Sequence, residues 1–195
     1  MTVAALFVRR DSIYKTLPGV GCYDVDRDAR TFSDGCPIVA HPPCRTWGTL
    51  KAFAKAPQDE HELARWAVRQ VRRWGGVLEH PASSGLWREM DLPELGCLPD
   101  EFGGWTFVCD QFHWGHLARK RTRLYICGSF DLPPIPRRTG EPSHCVSSLS
   151  RRRISHDERV AMPGRKPELG PNRRDKTPLA FALWLVELAR RCRKE

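Results

Sequence analysis

Ile38-Val39-Ala40-His41-Pro42-Pro43-Cys44-Arg45-Thr46-Trp47-Gly48 begins as a short apolar run and ends at a proline corner. A run of this length bounded by prolines reads as a buried strand that stops abruptly. Pro43 fixes its own φ and pushes Pro42 into an extended conformation. Cys44 is thereby held at a stiff corner, where the carboxyl end of a strand meets a loop. In open α/β sheets that edge is where ligands bind. Arg45 follows directly and is expected to favour a thiolate at Cys44. The plainer alternative is a buried cysteine packed as a small hydrophobe.

Downstream, Pro57–Trp74 has the period of an amphipathic helix, with Leu63, Ala67, Val71 and Trp74 on one face. Asp59, Glu60 and Glu62 suit the positive end of its dipole, and Gly75-Gly76 stops it. Val77-Leu78-Glu79-His80-Pro81 reads as a second short strand cut off by proline. The interval from Cys44 to Glu79 is therefore strand–helix–strand, the unit that builds a parallel sheet. The expected class is α/β, with a Rossmann-like, mostly parallel sheet.

The flanks extend this pattern. Val3–Val8 reads as a first buried strand, and Cys22–Val25 as a short second one. Ser83–Met90 reads as one or two helical turns. Trp105–Gln111 and Thr122–Gly128 read as further strands joined by the loop Phe112–Arg121. Ile154–Met162 suits a short helix capped by Ser155. Thr177-Pro178 supplies a cap and first-turn proline for a helix over Leu179–Arg190, apolar almost all round and so expected to lie buried on the sheet.

The 195 residues fit one domain, 1–195, with an irregular insertion at about 131–152 and a basic C-terminal segment, 151–195. That segment holds thirteen Lys/Arg against six Asp/Glu, most of a net charge of +9. Such an excess suits a polyanion such as DNA, or else a well-solvated basic surface. The eight cysteines include no C-x-x-C pair, and the apolar start is too short for a signal peptide. Reduced thiols in a cytoplasmic protein are expected. No apolar run approaches the ~20 residues of a membrane span.

Three stretches carry candidate chemistry. Pro43-Cys44 ends one strand, Glu79 ends the next, and Arg119-Lys120-Arg121-Thr122-Arg123 leads into a later one. In a parallel sheet Cys44 and Glu79 share one edge, so a thiol, a carboxyl group and guanidinium groups converge. Singly, each has a structural reading: a packed cysteine, a capping carboxylate, a solvated basic face.

With those stretches in order, the chain resembles the DNA cytosine-C5 methyltransferases. Pro43-Cys44 is similar to the family's nucleophile dipeptide, and Leu78-Glu79-His80-Pro81 to its Glu-Asn-Val motif. Arg119–Tyr125 is similar to its Gln-x-Arg-x-Arg motif running into an Ile-Tyr strand. Arg153–Arg159 and Met162-Pro163-Gly164 resemble two later motifs, so the likeness spans about residues 35–190. The resemblance implies that Cys44 attacks C6 of a cytosine flipped from the duplex. It implies that Glu79 holds or protonates N3, which calls for a raised pKa. Arg121 would help bind O2 of the base and Arg123 would steady the loop, with Pro43, Arg45 and Arg119 also on the DNA side. C5 would then take a methyl group from S-adenosylmethionine.

The sequence departs from that pattern. Val8 is followed by Arg9-Arg10-Asp11-Ser12 where the family has a Gly-rich cofactor loop. The interval from Val8 to Cys44 is short by one strand–helix unit, so a methyltransferase fold truncated in its N-terminal cofactor half is expected. Two alternatives stay open: a pyrimidine-modifying enzyme with another donor, and a non-catalytic DNA-binding or anti-restriction relative. No metal site is expected, since His113-x-x-His116 lacks a third ligand at a telling spacing. Trp47, Trp87, Trp105 and Trp114 are candidates for base stacking, with core packing the plainer reading.

Overall fold

A computed structural model describes residues 2–48, 51, 54–146 and 166–192. Within them a mixed sheet has the strand order β2-β1-β3-β4-β6-β5. The strands are β1 (Val3–Leu6), β2 (Val20–Tyr23), β3 (Ile38–Ala40), β4 (Gly76–Pro81), β5 (Gly104–Asp110) and β6 (Arg121–Cys127). The ladders from β2 to β4 are parallel, and β6 runs antiparallel to both β4 and β5. The α/β, Rossmann-like and mostly parallel reading therefore holds.

β1 is shorter than its apolar run. Phe7 has φ of 60°, a left-handed conformation that ends the strand before Val8. The β1–β2 and β2–β3 connections contain 3-10 turns, Ile13–Thr16 and Ala29–Thr31, and no α-helix. The interval before Cys44 is thus built of short strands and 3-10 turns alone.

Helix α1 (Glu60–Trp74) packs on one face of the sheet. Its buried stripe is Glu60, Ala64, Ala67, Val68 and Val71, one step round from the expected face, and Leu63 is only half-buried. Small side chains let the helix lie close to Ile38, Ala40 and Leu78 of the strands beneath. Burying each valine contributes roughly 1.5–3 kcal/mol. Gly75 and Gly76 have φ of 79° and 124°, and a Cβ on Gly76 would strike the Ile38 backbone. Only glycine turns the chain directly from α1 into β4 beside β3.

A short helix α2 (Leu86–Glu89) follows β4, and α3 (Pro171–Arg174) precedes α4 (Leu179–Arg191). Helix α4 covers the opposite face of the sheet from α1 through Phe181, Trp184, Leu185 and Leu188. It is not buried all round: Leu179 and Leu183 are 50% and 49% exposed. Its cap is Pro178, without a side-chain cap bond from Thr177. The described part of the irregular stretch, 131–146, has one isolated bridge, Cys145 with Glu168. The helix expected at Ile154–Met162 and the motifs at Arg153–Arg159 and Met162–Gly164 lie outside the described residues.

Candidate active site

In this sheet β1 is followed by β2 on one side and β3 on the other. The carboxyl ends of β1 and β3 thus flank a topological switch point, the general ligand position in open α/β sheets. A cavity of about 1260 Å³ opens there, lined by residues after β1, the Pro43-Cys44 corner, Glu79, Arg119–Arg121 and the stretch before α4. Because β6 is antiparallel, its amino end lies beside the carboxyl end of β4, with Thr122 opposite Pro81. That reversal brings Arg119-Lys120-Arg121 to the same rim as Cys44 and Glu79.

The carboxylate of the site is Glu79, part-buried in the cavity wall. Val39 pairs with Val77 and Ala40 with Leu78, so the next step of the register sets His41 beside Glu79 on the α4 face. His41 Nδ1 is 3.0 Å from Glu79 Oε2, and His41 Nε2 is 2.9 Å from Tyr14 Oη. Gln111 Nε2 donates to Glu79 Oε1 at 3.1 Å and to Thr122 Oγ1 at 3.0 Å. Tyr14 comes from the 3-10 turn capped by Ser12, and Gln111 opens the 3-10 turn after β5. Burial alone would raise the Glu79 carboxyl. The Lys120 charge and the His41 hydrogen bond outweigh it, with smaller electrostatic contributions from the His41 and His80 rings, and the pKa falls to about 2. The resting carboxylate is ionised, the reverse of the raised value that the resemblance calls for.

Cys44 is exposed at the cavity rim. Desolvation by the surrounding protein raises its thiol, with Glu79 and Asp175 adding to the shift, and Lys120 opposes it. Arg45 is not the thiolate partner its position suggests. Its Nε lies 2.6 Å and 2.9 Å from the two oxygens of Glu60, with a further Nη2 contact, so it is tied to the start of α1. Beneath the proline corner sits His80, fully buried, its Nδ1 2.7 Å from Ser84 Oγ. Burial lowers its pKa to about 4, against the pull of Glu79 and the Pro42 and Pro43 carbonyls. A neutral imidazole therefore underlies the corner that holds Cys44.

Arg119 reaches Asp110 at 3.3 Å and lies 5.3 Å from the Phe112 ring centroid. Arg121 is exposed, lines the cavity and has no ion pair among the described residues. Arg123 is not brought to the site. It points to the α1 side, pairs with Glu94 at 2.9 Å and lies over Trp87. The tryptophans are packing and hydrogen-bonding groups. Trp47 is buried and stacked on His61, Trp87 donates to Thr106, Trp105 donates to Ser129, and Trp114 packs on Phe181 and Trp184. His113 accepts from Arg138 N, and His116 binds the backbone of Ala118 and Arg174, so both rings hold loops.

The turn after β1 does not form the cofactor cradle that the resemblance implies. It has no glycine before Gly19, and its Tyr14 side chain is fully buried. Asp24, just past β2, spends its carboxylate on Lys15 at 2.5 Å and on the backbone N–H groups of Asp26 and Arg27. S-adenosylmethionine does not fit these residues, and no step is derived through it.

Fold and site together define a Rossmann-like α/β protein with a thiol, a carboxylate and a basic rim around one switch-point cavity. No protein-family model matches the chain, and no curated protein matches it. No helix among the described residues is long and apolar enough to cross a membrane.

Sequence reasoning missed His41, Tyr14 and Gln111. His41 lay in plain sight, three residues before Cys44 at a strand end. Tyr14 and Gln111 carried no local signal, because only the sheet brings them to Glu79.

Proposed function

We propose that the chain modifies a pyrimidine base in DNA, with Cys44 adding to C6 of a base turned out of the stack and Glu79 engaging its N3 edge. The observation that carries this reading is the shared cavity, where Cys44 and Glu79 meet at one sheet edge beside Arg121. The cytosine-C5 methyltransferase resemblance supports the same roles. In the reaction the Cys44 sulfur bonds to C6 and the C5=C6 electron pair moves to C5. C5 takes an electrophilic one-carbon group from its donor, which departs with the electron pair of the broken donor–carbon bond; a proton then leaves C5, and the returning electron pair expels the thiolate. A thiol suits this task because it attacks soft carbon and leaves readily. Lys120 is the neighbouring charge that favours the thiolate. Arg119 and Arg121 are proposed to hold the phosphate and O2 of the base, and the +9 net charge supports a DNA partner.

The cavity exceeds the roughly 300–1,000 Å³ of common ligand pockets. It has room for a base and a donor together. The poor fit at the β1 turn supports a one-carbon donor other than S-adenosylmethionine. The free cysteines among the described residues are compatible with a cytoplasmic setting.

The test is mass analysis of nucleosides from the DNA of cells expressing the chain, with Cys44→Ser as control. A new pyrimidine nucleoside that depends on Cys44 is expected. Unchanged nucleosides, with no covalent complex on DNA containing 5-fluoropyrimidines, would overturn the reading. One observation favours a second reading: the resting Cys44 thiol is raised, which weakens the sulfur as a nucleophile. A non-catalytic DNA-binding relative would give salt-sensitive gel shifts that Cys44→Ser leaves unchanged, with no modified base.

A further inference from the structure

The hydrogen bonds around Glu79 restrict which base can face it. His41 Nδ1 approaches Oε2 and Gln111 Nε2 donates to Oε1. The Gln111 amide is held in that sense by Thr122, whose Oγ1 takes the second N–H and donates to Lys120 O at 3.2 Å. Tyr14 Oη occupies the far nitrogen of His41. Gln111 therefore meets Oε1 with an N–H, and an ionised Oε2 selects the His41 tautomer that carries its proton on Nδ1. An ionised carboxylate has about four lone-pair sites and no proton. What Glu79 offers the cavity is a further acceptor site.

A base edge that meets this acceptor must present an N–H. Uracil carries a hydrogen on N3. Cytosine carries a lone pair there, so acceptor would face acceptor. Turning cytosine to offer its 4-amino group instead leaves N3 without a proton, and the ring stays a poor electrophile at C6. Uracil needs no such proton, because attack at C6 sends charge through C5 and C4 to O4. Lys120, on the same rim, is placed to stabilise that oxygen.

We propose that the base taken at this site is a 2,4-dioxopyrimidine, uracil or a uracil derivative, whose N3–H donates to Glu79. This rests on the C6-addition reading above and names its substrate class. The low pKa of Glu79 agrees with it, since the group has no proton to give to cytosine N3 at neutral pH.

The test needs no donor. When Cys44 adds to C6, the C5=C6 pair captures a solvent deuteron at C5. Removal of the original C5 proton restores the double bond and breaks the S–C6 bond. The thiolate returns unchanged and the base carries one deuterium. Oligonucleotides with a single uracil or a single cytosine are incubated with the protein in D2O, and C5 exchange is followed by mass and by loss of the H5 resonance. Exchange at uracil is expected to exceed that at cytosine by roughly ten- to hundredfold, the effect of one mismatched buried hydrogen-bonding group. It should vanish in Cys44→Ser. In Glu79→Gln the amide can turn its N–H toward cytosine N3, so the preference should shrink. Exchange at cytosine equal to or faster than at uracil overturns the base assignment and leaves the C6-addition reading standing. Exchange at neither base overturns both.

Discussion

His41 and Glu79 continue the β3–β4 ladder one residue past its last paired backbone positions, and their side chains close to 3.0 Å. The pair is part-buried, and Tyr14 backs it from the far side at 2.9 Å. Replacing His41 with Ala removes a hydrogen bond from Glu79 and strands the buried Tyr14 hydroxyl. We expect a stability loss of about 1–3 kcal/mol in urea denaturation, together with loss of base modification. Unchanged stability would mean that the pair contributes nothing to the fold.

The same carboxylate links stability to acid. Its folded pKa of about 2 lies below the ordinary 4.5. Its contribution is therefore present above pH 4.5 and is lost as pH falls towards 2. The size is on the order of 3 kcal/mol. Glu79→Gln should flatten the stability profile across that window. It should also cost activity more than DNA affinity, because its work is done as charge develops on the ring.

His80 titrates in a separate window. Its folded pKa is about 4 against an ordinary 6.5, so the unfolded chain takes up the proton first. Stability should fall as pH drops from 6.5 towards 4, again by on the order of 3 kcal/mol. Urea denaturation at stepped pH should show this slope, and His80→Asn should remove it. A slope that survives the substitution assigns the proton uptake to another group.

Arg45 is bound to Glu60 and not to the thiol. Arg45→Ala should leave the rate of Cys44 alkylation and its pH midpoint unchanged while lowering stability by about 1 kcal/mol, since it strips a partner from a buried carboxylate. A rise of the alkylation midpoint in this variant would restore Arg45 as the thiolate partner.

Arg121 and Arg123 are two residues apart in sequence and should behave differently. Arg121 lines the cavity, whereas Arg123 faces Glu94 and Trp87. Arg121→Ala should weaken DNA binding and reduce the slope of log affinity against log salt by about 1. Arg123→Ala should leave that slope unchanged. Equal effects would mean that the DNA contact extends from the cavity rim along β6 to Arg123.

The strand ends were readable in the sequence because prolines and glycines punctuate them: Pro42-Pro43 after β3, Pro81 at the end of β4, Gly75-Gly76 before it. Cys44 and Glu79 followed from those ends once β3 and β4 were taken as parallel. The stripe of α1 was misjudged because spacing alone favoured the large Leu63, while close approach to the sheet selects Ala64 and Val68. The charge state of Glu79 was misjudged for a different reason. It depends on Lys120 and His41, whose approach no periodic pattern encodes. Arg123 was assigned to the site by proximity in sequence, but it sits two residues further into β6 than Arg121, opposite His80, and is held there by Glu94 and Trp87.

One strand running backwards separates two jobs within this chain. Parallel neighbours are joined by long crossovers that also build the core, so altering them endangers folding. The β5–β6 connection is a hairpin instead, and its tip supplies basic groups directly to the mouth of the cavity. Exchange of the exposed residues Arg119 and Arg121 can therefore change the charge at the mouth of the cavity while the buried Phe112, Trp114 and Ala118 keep the layers beneath intact, making that rim the natural place for both divergence and engineering.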